Sequence, residues 1–157
     1  DYGSATYDAI LLRHVLEHSP SPHADLSAAV DRLRPGGLIL LATPNLDSLA
    51  ARTLHRDWEW FVPPAHLFYF SPRSLDHFAR AKGLEILHCE TRSGDGVACS
   101  SSLKAYIGYE KSQKSKWQLA QLDALTRQLN QLGPKEDRVL GELGLGNEVF
   151  VVLRKRL

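Results

Sequence analysis

The chain has 157 residues with 43% hydrophobic content, long enough for one domain with a real core. Its 19 basic and 18 acidic side chains create no field of one sign, which argues against nucleic acid or a membrane surface as partner. Cys89 and Cys99 have no metal spacing and are too few for a disulfide scaffold, which fits a reducing cytoplasm, and no apolar run is long enough to span a bilayer.

In chain order, residues 6–12 (TYDAILL) form a short apolar run with the length of a buried strand. Residues 23–33 place Leu26, Ala29, Val30 and Leu33 at spacings of three and four, the stripe of an amphipathic helix. Pro35-Gly36-Gly37 is expected to end that helix and turn the chain into a second buried strand, residues 38–43 (LILLAT), closed by Pro44-Asn45. Two apolar strands joined by a helix predict a βαβ unit and a parallel sheet. A short helix candidate follows, then the aromatic and proline-rich RDWEWFVPPAHLFYF, expected to be an ordered loop over one end of the sheet. Ser71-Pro72 opens the next helix, Gly83 stops it, and residues 84–92 read as a third strand. Residues 93–102 predict a loop, and a leucine-striped helix runs from about 103 until Gly133-Pro134 breaks it. A short helix over 138–143 leads to a terminal strand, EVFVVLRKRL, whose Arg154-Lys155-Arg156 reads as a solvated end.

His14-Val15-Leu16-Glu17-His18 spells H-x-x-E-H, the residue order of inverted zinc peptidases. That chemistry needs a helix, so that residues four apart share a face and grip one ion. The strand upstream and Ser19-Pro20-Ser21-Pro22 downstream leave room for about one turn. The motif is therefore read as the polar end of a buried strand, and no metal is expected.

Three segments together, YDAILLRHVLEH, LRPGGLILLATPN and HLFYFSPRSLDHFARAKGLEIL, resemble the C-terminal half of class I S-adenosylmethionine-dependent methyltransferases, especially the ubiquinone-biosynthesis O-methyltransferase branch. The resemblance covers residues 6–92 and, less specifically, the last strand. It implies an α/β fold: a Rossmann-like methyltransferase sheet of which this chain holds strands four to seven with flanking helices, plus the helical insertion at about 103–143. In that family a glycine-rich turn and an acidic residue in the first strands hold the cofactor, and neither device is found in this sequence. Residues 1–157 are thus expected to be a partial methyltransferase domain, its N-terminal cofactor-binding half lying upstream of Asp1; the lack of any methionine agrees. If 1–157 were instead the whole product, the bare edge of the first strand would predict a homodimer.

The resemblance implies S-adenosylmethionine as cofactor and methyl transfer to a small-molecule acceptor, the fragment alone being inactive. By position Leu12, Arg13 and His14 lie against the cofactor, Arg13 being equally a solvated loop charge. His14, His18 and His66 are candidate bases for a hydroxyl acceptor. Asn45, Trp58 and His66 are candidates for seating the acceptor, with a turn role for Asn45 and core packing for the aromatics as the plain readings. Glu17-His18 match a pair that contributes to a divalent-metal site in the ubiquinone branch. The family's further carboxylate, four places before Glu17, is here Arg13, which disfavours a hard cation. The competing reading is a non-catalytic methyltransferase-like module for binding or assembly.

Overall fold

A computed structural model describes residues 5–92 and 134–156, with residues 134–137 described by backbone alone. The elements are β1 (Tyr7–Arg13), α1 (Pro22–Arg32), β2 (Leu33–Pro44), α2 (Leu49–Leu54), α3 (Pro72–Ala81), β3 (Leu84–Arg92), α4 (Pro134–Glu142) and β4 (Glu148–Lys155). Single 3-10 turns at Leu16–His18 and His55–Asp57 punctuate the loops. The leucine-striped helix expected from about 103, and the loop before it, lie outside the described residues.

The strands form one sheet in the order β1-β2-β4-β3. β1 and β2 are parallel, while β4 runs antiparallel to both β2 and β3. The expected parallel βαβ unit is therefore present, and the terminal strand enters between β2 and β3 in reverse.

Residues at successive positions along a strand face opposite sides. Ile39 and Leu41 of β2, with Val151 and Leu153 of β4, pack against Leu26 and Ala29 of α1 and Leu75, Phe78 and Ala79 of α3. Each large side chain fully buried here contributes about 1.5–3 kcal/mol. A second cluster joins Ala50, Ala51 and Leu54 of α2 to Trp58 and Leu140.

β2 begins earlier than its sequence suggests. Tyr7 pairs with Leu33 and Ala9 with Leu38, so Pro35-Gly36-Gly37 forms an irregularity within the strand instead of a separating turn. Gly36 adopts φ 78°, and a Cβ on Gly37 would lie 2.9 Å from the Arg34 carbonyl oxygen. Only glycine meets both demands without strain. The C-terminal basic run is likewise not wholly solvated. Lys155 Nζ donates to the carbonyls of Val30 and Leu33, each at 2.8 Å, and so caps the end of α1.

α3 starts with a reciprocal cap: Ser71 Oγ accepts from the Ser74 amide at 3.2 Å, and Ser74 Oγ accepts from the Ser71 amide at 2.8 Å. This cap and Phe70, which bridges to Asn45, fix the far end of the aromatic loop against the end of β2.

Candidate functional site

The carboxyl ends of β1 and β2, the amino end of β4 and the aromatic loop meet at one end of the sheet. In open α/β sheets this is where ligands bind. β1 stops at His14, which adopts φ 50° while its amide still donates to the Ala42 carbonyl at 2.9 Å. The left-handed step turns the His14 ring back toward the sheet end.

His14 Nδ1 lies 3.0 Å from Glu17 Oε1, and its Nε2 lies 3.1 Å from Glu148 Oε1. Both carboxylates are buried, at 1% and 3% side-chain exposure. The contact with Glu148 is a close approach, not an aligned hydrogen bond, since Glu148 Oε1 has no hydrogen-bond partner. Thr43 Oγ1 donates to Glu17 Oε2 at 3.0 Å, and Arg92 Nε donates to Glu148 Oε2 at 3.0 Å. Flanked by two carboxylates, His14 serves as a cross-link between β1, the Leu16–His18 turn and β4. Its ring nitrogens face these protein groups, so the geometry argues against the base role expected of it.

The aromatic loop is tied to the same turn, because the Glu17 carbonyl accepts from the amides of Leu67 at 2.7 Å and Phe68 at 3.2 Å. The Trp60 ring stacks on His14, with centroids 5.4 Å apart and planes 2° apart. On Trp60, at 6.0 Å and 10°, stacks His66. His66 in turn meets His18 edge-on at 4.7 Å.

His18 and His66 differ from His14 in what their nitrogens face. Nδ1 of His18 lies 2.8 Å from the Ala65 carbonyl oxygen, and Nδ1 of His66 lies 2.7 Å from that of Trp60. A carbonyl can only accept, so Nδ1 carries the proton and, in the neutral ring, Nε2 keeps its lone pair. Beside them, burial pushes the Tyr69 phenol above its usual range, with the Val62 backbone pulling the other way. Tyr69 therefore remains a neutral aromatic wall near neutral pH.

Two sequence expectations are corrected here. Asn45 is fully buried: its Nδ2 donates to the carbonyls of Gly144 at 3.2 Å and Gly146 at 2.8 Å, and its Oδ1 accepts from the Asp47 amide at 3.0 Å. It staples β2 to the approach to β4, and its polar atoms are spent on the backbone. Trp58 is 2% exposed in the second core cluster, and the indole at the histidines is Trp60. The spacing of aromatics in RDWEWFVPPAHLFYF gave no way to separate the two. Glu148, Thr43 and Arg92 also went unnoticed in the sequence, since nothing local marks them. Leu12 is half-buried and Arg13 exposed at the end of β1.

The H-x-x-E-H segment is not a helix with two histidines on one face. Its last residues, Leu16–His18, form a single 3-10 turn, and His14 is directed to the carboxylates of Glu17 and Glu148. The zinc-peptidase arrangement is thereby absent.

A parallel pair extended by a reversed strand between β2 and β3, with a polar cluster at the carboxyl ends, defines a Rossmann-like methyltransferase fold. Residues 1–89 match the family model described as a methyltransferase domain, and the chain belongs to that family, the class I S-adenosylmethionine-dependent methyltransferases. A ubiquinone biosynthesis O-methyltransferase from Burkholderia thailandensis is 29% identical over 87 residues, covering 52% of this chain and 38% of the relative. Among solved structures, an S-adenosylmethionine-dependent methyltransferase from Thermotoga maritima aligns with a TM-score of 0.56 at 15% identity, covering 97% of this chain and 57% of that one. Another from Archaeoglobus fulgidus aligns with a TM-score of 0.52 at 15% identity, covering 96% and 60%. These structures support the fold alone. The chain spans less than two thirds of the length of each of these proteins. Among the described residues, no helix is long and apolar enough to cross a membrane.

Proposed function

We propose that this chain forms the acceptor side of a methyltransferase that moves a methyl group from S-adenosylmethionine to a hydroxyl of a small molecule. The observation that carries the reading is the pair His18 and His66: two imidazoles with Nδ1 tied to backbone carbonyls and Nε2 left as proton acceptor, at the carboxyl end of a methyltransferase sheet.

The fit of the cofactor is partial. Leu12, Arg13 and His14 stand by position on the cofactor side, and at the same end of the sheet the buried Trp60 Nε1 and Glu148 Oε1 lack hydrogen-bond partners. No glycine-rich cradle follows a strand among the described residues. The remaining contacts belong, in this reading, to a cofactor-binding half that precedes Asp1 in the polypeptide. β1 is an edge strand among the described residues, and Leu11 on it is 64% exposed, which agrees with such a neighbour. A half so placed would also pair the open strand edge, making a homodimer through it unnecessary.

S-adenosylmethionine, when bound against Leu12, Arg13 and His14, would supply a sulfonium-activated methyl group for transfer to the acceptor oxygen, with the neutral thioether as leaving group. The protein's part is alignment, exclusion of water and removal of the hydroxyl proton. His18, the more exposed of the pair, takes that proton at Nε2, and its Nδ1 bond to Ala65 holds the ring in register. His66, Trp60 and Tyr69 form the wall against which a flat or amphiphilic acceptor rests. His14 is a positioning residue that fixes Trp60 and the turn. Cytoplasm is the compartment that suits this chemistry and the isolated cysteines.

The test is calorimetric titration of S-adenosylhomocysteine into the protein expressed from its natural start and into residues 1–157, followed by methyl transfer to a panel of phenolic acceptors. Binding to the longer form, with transfer falling about 100-fold in His18→Gln, is expected. Absence of binding to either form would refute the reading and favour a non-catalytic module.

A further inference from the structure

We propose that Arg92, at the end of β3, is a positioning residue for the acceptor wall, acting through Glu148, His14 and Trp60 on the ring of His66. The consequence for an acceptor rests on the methyl-transfer reading, whereas the placement of the ring does not.

Each link is one contact deep. Arg92 Nε donates to Glu148 Oε2 at 3.0 Å. The other carboxylate oxygen, Oε1, lies 3.1 Å from His14 Nε2. The His14 ring is parallel to Trp60 within 2° at 5.4 Å, and His66 stacks on the same indole at 6.0 Å and 10°. From the other side, Thr43 Oγ1 donates to Glu17, whose Oε1 is 3.0 Å from His14 Nδ1. One connected set of side chains thus draws a member from each of β2, β3 and β4 and from the turn after β1.

Arg92 is the member whose loss the others cannot absorb. Glu148 is 3% exposed and its Oε1 has no hydrogen-bond partner. Without Arg92 the contacts described here leave neither oxygen with a hydrogen bond. A buried carboxylate in that state costs more than a ring stack contributes, so the rings yield first. Trp60 Nε1 is a buried donor at the same end of the sheet and is likewise without a partner. A carboxylate released by Arg92 turns toward that N–H, and the His14 ring, with Nε2 against Oε1, moves with it. The ion pair on β3 therefore selects between two arrangements of the stack.

The backbone around the rings has other supports. The Glu17 carbonyl holds the amides of Leu67 and Phe68, and Trp58 anchors the loop in the second core cluster. His18 keeps its bond to the Ala65 carbonyl. The change falls on Trp60 and His66, so an acceptor loses its wall and keeps its base. That is a fault of binding more than of turnover.

The experiment is histidine-ring NMR of the protein expressed from its natural start, with the His66 signal assigned through His66→Gln and circular dichroism confirming each fold. Trp60→Ala gives the position of the His66 signal without the indole. In Arg92→Gln the signal is expected to move toward that position, while His23 on α1 stays in place. Arg92→Lys, which keeps a cation beside Glu148, should move it less. Glu90→Gln removes another contact of Arg92, at 3.7 Å, without touching Glu148, and should not move it. Where S-adenosylhomocysteine binds, Arg92→Gln should raise KM for a phenolic acceptor at least about fivefold and change kcat by less than about twofold. A His66 signal unmoved in Arg92→Gln and Arg92→Lys alike, or moved as far by Glu90→Gln, would overturn the proposal. So would a fall in kcat with KM unchanged. Absence of S-adenosylhomocysteine binding would count against the methyl-transfer reading alone, and the ring signals would still decide the role of Arg92.

Discussion

Replacing His14 by alanine probes the centre of the polar cluster. The substitution leaves Glu17 and Glu148, 1% and 3% exposed, without the imidazole between them. Leaving a buried carboxylate without its partner costs about 3–5 kcal/mol. The lower end applies, because the His14 side chain is 24% exposed and because Thr43 and Arg92 continue to serve the two carboxylates. Loss of the parallel stack on Trp60 adds about 0.5–1 kcal/mol. A total of about 3.5–4 kcal/mol, at a urea slope of about 2 kcal/mol/M, moves the unfolding midpoint down by about 1.8–2 M. His14→Gly should recover about 1 kcal/mol of this, since the residue sits at φ 50° and glycine adopts that conformation freely. The assay is urea unfolding of both variants, together with a double-mutant cycle using Glu17→Gln. A coupling above about 1 kcal/mol is expected for residues in direct contact. A midpoint unchanged in His14→Ala, or strict additivity in the cycle, would refute the claim that this histidine cross-links the strands.

Asn45→Ala should destabilise the protein by about 2–4 kcal/mol in thermal unfolding, because it strands the buried carbonyl of Gly146 and the half-buried one of Gly144; a neutral result would return Asn45 to the list of ligand contacts. Gly146→Ala places a Cβ 2.6 Å from the Arg92 backbone nitrogen and should lower stability by about 1–3 kcal/mol through forced movement of β3. Gly83→Ala faces open space at φ 66° and should cost only about 1 kcal/mol, so a larger loss there than at Gly146 would contradict the packing described.

Much of the framework could be read from the chain because the cues are local. A proline at the first turn, a serine before it and a glycine after the last turn mark α3, and apolar runs mark β1 and β2. The resemblance drew on the same local segments. The site could be read in part: His14, Glu17, His18 and His66 stood out by residue type, but their roles did not. His14 looked like the best base, and only the placement of Glu148 beside its second nitrogen shows it to be a cross-link.

Sequence by itself determined the order of the described strands and helices and most of their bounds, the early start of β2 excepted, which residues carry titratable chemistry, and the family signature spread over the first half of the chain. Tertiary structure decided that the last strand runs backward between β2 and β3, bringing Glu148 to His14 from the opposite end of the chain. It decided that Trp60, and not Trp58, stacks between two histidines, and that Asn45 serves the backbone. The reason is physical: backbone propensity and hydrophobic period act over a few residues, whereas a hydrogen bond or ring stack depends on which distant segments share one end of the sheet.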